Sequence, residues 1–273
     1  MISKEAIKNN ISQILAITEK DIKLRLRFKY KLIFSFISPI ISIILPLIIM
    51  GKFFEFNDNF GPWDSNNYIV YIFLAYNIMQ LQKIINRYQL QFSQEKFWQT
   101  LPGLLIAPFN TYYLLIGIFL SYLILISIPL IIFFIICFVF FPISFFTVLS
   151  IIFITLLIAL IFSGLGLILG IFAISNENVS PILGFGLGLI FMASCLSFPF
   201  EIFPLFIQNI INLNPLYHIF HFYRLVWIED NIIFSISSHL VSFLVLIGSA
   251  IILPYIGVII FNKIYKKYGI VGY

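Results

Sequence analysis

The stretch YYLLIGIFLSYLILISIPLIIFFIICFVFFPISFFTVLSIIFITLLIALIFSGLGLILGIFAI (residues 112–174) decides the fold. It contains no Asp, Glu, Lys or Arg, and the uncharged run around it extends from 97 to 176. A helix needs about 20 apolar residues to cross about 30 Å of hydrocarbon, so this run is too long for one crossing. It breaks at FPIS (141–144), where Pro142 and Ser144 read as a turn. The spacing predicts one spanning helix over about 112–140 and a second over about 145–174.

The rest of the chain reads the same way. Of 273 residues, 61% are hydrophobic and 10% charged, and the mean hydropathy is +1.07. Soluble domains carry about 25% charged residues, so a water-soluble domain, a disordered chain and a nucleic-acid-binding domain are excluded. Four more apolar runs predict spans at about 32–51, 65–82, 178–200 and 231–262. The second is the weakest, because it holds Asn77, Gln80 and Gln82. Residues 202–223 are also uncharged, but QNIINLNP places four amides and a Pro at their centre, which is costly in lipid. They split better into two short re-entrant helices broken at Asn214–Pro215.

Basic residues orient the chain. Eight Lys and Arg precede the first span. Lys83, Arg87 and Lys96 follow the second, and Lys263, Lys266 and Lys267 follow the sixth. Only Lys52 and Arg224 fall on the other side. Six spans with both termini in the cytoplasm satisfy this bias. The fold class is therefore an all-α polytopic membrane protein with a multi-pass place in the cell membrane. Residues 1–31 form a cytoplasmic N-terminal helix, 32–262 the spanning domain and 263–273 a cytoplasmic tail. The charged start argues against a cleavable signal peptide.

The N-terminal DIKLRLRFKYK (21–31) alternates apolar and basic residues. A lone strand would leave its edges unpaired, so the segment reads as an interfacial helix whose Lys23, Arg25, Arg27, Lys29 and Lys31 snorkel. It either sets topology or also docks a cytoplasmic partner. Gly166 with Gly170, and Gly184 with Gly188, form two G-x-x-x-G patterns. They serve helix packing within the subunit, or a contact with a second copy or a gate. Tyr217, Tyr223 and Trp227 are expected in an aromatic belt, with Glu201 and Arg224 near the outer headgroups. Cys137 and Cys195 lie in apolar runs and make no metal or disulfide framework. His218 and His221 stand one turn apart without evident further ligands, so they read as hydrogen-bonded rather than metal-binding. The sequons at Asn10 and Asn178 fall on the cytoplasmic side.

Two segments carry the functional signal. After the second span the chain offers Glu95–Lys96, Thr100–Leu101, Leu104–Leu105 and Ala107–Pro108. After the fifth it offers Phe198–Pro199, Glu201, Pro204, Asn214–Pro215 and Arg224. In this order and spacing the chain resembles the permease subunits of type-2 ABC exporters, such as drug, nodulation-factor and polysaccharide exporters. That family shows an acidic–basic pair, then G-T-L-E, two Leu and a Pro between spans 2 and 3. Gln99 and Pro102 stand where the family has Gly and Glu. The resemblance implies that Glu95, Trp98, Thr100, Leu101, Leu104, Leu105 and Pro108 belong to a coupling helix seated on an ATPase. It also implies an external pair of short helices between spans 5 and 6.

The chain has no G-x-x-x-x-G-K-[ST] phosphate loop. ATP and Mg are thus expected on a separate ABC ATPase subunit, with no cofactor and no catalytic residue in this chain. One six-span unit does not enclose a pathway, so a homodimer or a pair with a paralogous permease is expected within membrane lipid. A secondary transporter is the first alternative. It would keep ionisable groups inside its spans, and the assigned spans hold no Asp, Glu, Lys or Arg. An integral-membrane enzyme or scaffold is the other. The lack of charge in the spans favours an amphipathic or lipid-linked cargo.

Overall fold

The computed structural model describes residues 4–56, 59–97, 111–175 and 179–268. The architecture is helical, and its elements run in chain order. α1 is Lys4–Leu26 and α2 is Lys29–Phe56. A two-stranded hairpin follows, β1 Asn59–Phe60 and β2 Trp63–Asp64, turning through Gly61 at φ +62°. Next come α3 Tyr68–Phe97, α4 Thr111–Phe140 and α5 Phe145–Ser175. α6 is Val179–Met192, α7 is Leu205–Asn212 and α8 is Pro215–Glu229. α9 Ile232–Ser238 and α10 Leu240–Tyr268 complete the chain.

Five of these helices hold segments long and apolar enough to cross a membrane by length and composition: Ile33–Glu55, Tyr68–Ser93, Tyr112–Phe140, Phe145–Phe172 and Leu240–Ile264. α3 is the spine. Of its segment 72% is buried, against 12 to 39% in the other four. α3 packs on α5, α4 and α2, and α10 closes over α5. The amides that weakened the second span in the sequence are inside this core: Asn77 is 1% and Gln80 3% exposed.

Close helix approach depends on glycine. A Cβ on Gly166 would come within 2.8 Å of the Tyr88 ring, and one on Gly170 within 2.8 Å of the Phe92 ring. Gly164 is tighter still. Its Cβ would lie 2.5 Å from the Leu253 carbonyl carbon, at the point where α5 crosses α10. Gly184 and Gly188 differ. Among the described residues nothing lies within 4 Å of a Cβ at either.

Five boundaries depart from the sequence reading. The second helix runs on through Lys83 and Arg87 to Phe97 rather than ending at 82. Those two charges therefore lie on a helix and not in a loop, and they fall within the apolar segment Tyr68–Ser93. The run 178–200 is helical only to Met192. The run 231–262 is two helices, separated at His239. The polar stretch after α2 contains a β-hairpin. The segment 21–31, read as one helix, is divided between α1 and α2, and α1 docks on the bundle: Ile17 packs over Gly117 of α4, and the Thr18 hydroxyl donates to the Gly117 carbonyl at 3.3 Å.

Gly164→Ala should lower the stability of the purified chain in detergent by about 1–3 kcal/mol, because the backbone it meets cannot yield cheaply. Gly184→Ala should leave it unchanged or raise it by about 0.5–1 kcal/mol through helix propensity. Thermal unfolding of the two variants side by side measures the contrast.

Candidate functional site

Among the described residues, a polar cluster interrupts the apolar bundle toward each end of α3. At the α1 end, Asp21 is buried between helices that are far apart in sequence. Its Oδ2 accepts from Arg87 Nη2 of α3 at 3.1 Å and from Ser121 Oγ of α4 at 3.3 Å. Arg25 lies one turn along α1 from Asp21. Its guanidinium stacks 5.0 Å from the centre of the Tyr122 ring. Burial and the neighbouring Arg87 charge hold its pKa below the ordinary arginine value. Arg25 therefore turns into the protein, contrary to the snorkelling expected of it. Exposed Leu24, Leu26 and Phe28 face away from the bundle. The cluster sets two guanidinium groups against one carboxylate, and the Nε atoms of Arg25 and Arg87 are buried without a partner.

At the other end, the chain leaves α6 at Met192 in a tight turn. Cys195 sits there in the left-handed region, φ +54°. Such a turn inside an apolar bundle exposes carbonyls, and each needs a donor. The sequence supplies donors from three directions. Asn214 Nδ2 donates to the Ile190 and Ala193 carbonyls at 2.7 and 3.0 Å. The same side chain caps α8, its Oδ1 accepting from Leu216 N at 3.0 Å, with Pro215 at the first helical position. Arg224 of α8 donates to the Cys195 and Leu196 carbonyls at 2.9 and 2.6 Å. Tyr71 of α3 donates its hydroxyl to Cys195, while its ring lies 3.8 Å beneath the Arg224 guanidinium.

The sequence-nominated residues sort as follows. Asn214 and Pro215 break the helix, as their order suggests, and Pro204 opens α7. Pro199 precedes the short 3-10 turn Phe200–Ile202. Glu201, in that turn, lies against Gly61 of the hairpin, and burial pushes its carboxyl up from the ordinary range. Arg224 is not among headgroups; it is 3% exposed and serves as a structural donor. Tyr223 and Trp227 are buried at 1% and 0% exposure, so they form no belt. Trp227 instead caps α4, its Nε1 donating to the Phe141 carbonyl at 3.1 Å. His218 uses one ring nitrogen on Ser242 and the other on the Asn212 carbonyl, which leaves neither for a metal. Glu95 lies near the end of α3. Trp98, Thr100, Leu101, Leu104, Leu105 and Pro108 lie outside the described residues. Tyr71, Asp21 and Arg87 escaped the sequence reading. The single acid amid the bases of 20–31 was the one available signal.

Breaking the Asp21–Arg87 pair leaves a buried charge, so Asp21→Asn should destabilise the chain by about 3–5 kcal/mol. The double variant Asp21→Asn/Arg87→Met should lose less than the sum of its single variants. Chemical unfolding of the four proteins in detergent measures the coupling.

The sequence profile of the ABC-2 type transporter family matches residues 12–227, from α1 through α8. Both polar clusters fall within this stretch. No curated protein matches the sequence. The matched stretch covers most of the chain, and the long apolar helices meet what such a protein requires of a membrane. The chain belongs to the ABC-2 type transporter family, as a multi-pass permease component.

Proposed function

We propose that this chain is the permease of an ATP-driven exporter that moves an amphipathic or lipid-linked substrate outward by alternating access. ATP and Mg bind a separate ABC ATPase subunit. Residues 95–107, closed by Pro108, form the coupling element that the ATPase moves. Two copies, or one copy and a paralogue, enclose the pathway, and both termini face the cytoplasm. The open face at Gly184 and Gly188 is available for the contact between permeases.

The observation that carries this reading is the position of α3. It is the most buried long helix, and its end at Phe97 leads directly into the coupling segment. Nearly three turns before that end, Arg87 ties α3 to Asp21 of α1, and Ser121 of α4 donates to the same carboxylate. A displacement applied at 98–108 is thus passed to α1 and α4 as well as along α3. Its other end holds the turn after α6 through Tyr71. One helix then connects the ATPase side to the segment that closes the far side.

The spacing of Trp98, Leu101, Leu104 and Leu105 in the sequence is that of one apolar helix face, which suits a groove in a partner. Trp98→Asp and Leu101→Asp place an unpaired carboxylate in that interface. Both variants should insert into the membrane but lose the ATPase subunit on co-purification, or lose transport. Retained association with full transport in both removes residues 95–107 from coupling. Accessibility labelling should find positions 20, 96 and 266 inside and 58 outside; position 266 outside would overturn the six-span arrangement.

A further inference from the structure

A groove of about 270 Å³ lies between α2 and α3. Ser38 and Ser42 line it from α2, and Tyr76, Gln80, Lys83 and Asn86 line it from α3. The α3 residues are three or four apart and so share one helix face. Beside them on α2, Ile37, Ile41 and Leu45 are exposed. A polar stripe therefore opens beside an apolar, lipid-type surface.

Polar side chains at membrane depth are costly and face a partner or a cavity. Some of these groups have partners. Tyr76 donates its hydroxyl to the Ser42 carbonyl at 2.5 Å, and Ser42 donates to the Ser38 carbonyl at 2.8 Å. Gln80 has none. It is 3% exposed, it lines the groove, and its amide makes no hydrogen bond among the described residues. Lys83 is half-buried and forms no ion pair among the described residues. Asp21, the buried acid at this end of α3, is already engaged by Arg87 and Ser121.

An ammonium beside the side-chain amides of Gln80, Gln82 and Asn86 suits an anion rich in acceptor oxygens. A phosphate diester meets that need, with Lys83 acting as a point charge. The volume admits a phosphate with its attached headgroup and is too small for acyl chains. Those chains find the exposed Ile37, Ile41 and Leu45. Lys29 is exposed at the start of α2, about 14 Å along the helix from Ser38, and does not line the groove.

We infer that the α2–α3 groove binds the phosphate-bearing headgroup of a membrane lipid, with Lys83 countering its charge and Gln80 and Asn86 hydrogen-bonding its oxygens. Binding here does not require ATP-driven export, so the inference stands or falls independently of the function proposed above.

The test titrates the detergent-purified chain with phosphatidylglycerol, with diacylglycerol and with inorganic phosphate, counting bound ligand by native mass spectrometry. Phosphatidylglycerol should bind, and the other two should be at least tenfold weaker. Lys83→Met and Gln80→Leu should each weaken phosphatidylglycerol binding roughly tenfold, the scale of one charge-assisted or buried hydrogen bond. Lys83→Arg and Lys29→Met should bind as the parent chain does. Unchanged binding in both Lys83→Met and Gln80→Leu overturns the site. So does an equal loss in Lys29→Met, which would signal general surface charge. Inorganic phosphate binding as tightly as the lipid, or diacylglycerol doing so, overturns the assignment to a phosphate-bearing lipid.

Discussion

A carbonyl left unpaired in hydrocarbon costs several kcal/mol, so a chain that stops a helix inside a membrane must bring donors to that point. The turn after Met192 is where this constraint is met, and much of the fold follows from it. Asn214, Arg224 and Tyr71 converge on the carbonyls of residues 190 to 196. To deliver them, α8 must lie against the end of α6, and α3 must reach the same level. Once α8 is placed, its far end serves the neighbouring turn. Trp227 takes the Phe141 carbonyl, and Asp230 accepts from Ser144 N at 2.7 Å, so α8 links two helix-to-helix connections.

The opposite end of α3 solves a different problem. Arg87 lies on a helix that must stay in the core, and its charge is tolerable only with a carboxylate nearby. The nearest chain element able to supply one is α1, which is why that helix docks on the bundle rather than floating beside it. Gly117 permits the approach, because any side chain there would collide with Ile17. The polar cluster thus makes a basic, amphipathic-looking segment into part of the transmembrane unit.

Much of this was legible in the residues. The uncharged runs, the break at Pro142–Ser144 and the helix break at Asn214–Pro215 follow from local chemistry: what lipid excludes, and what proline and a capping amide do to a backbone. The family resemblance rested on the same short segments and on their order. Two things were misread. Lys83 and Arg87 were placed in a loop, because charge normally marks the end of a span. Tyr223, Trp227 and Arg224 were placed at an interface, because aromatic and basic residues gather there. Both rules describe residues that face lipid or water, whereas Arg87, Arg224, Tyr223 and Trp227 face protein and Lys83 lines a groove between helices.

Composition and periodicity therefore determined that the chain is helical, that it lives in a membrane, and roughly where its helices begin and break. Each of those properties depends on residues within one or two turns of each other. Tertiary structure decided which polar residues pay their desolvation cost against which partners. Asp21 meets Arg87 across 66 positions and Tyr71 meets Cys195 across 124. Gly164 packs tightly while Gly184 meets nothing among the described residues, although both stand in similar glycine-rich apolar helices. No local pattern distinguishes such pairs, because the energy of a buried charge or a close glycine contact depends on what the fold brings beside it.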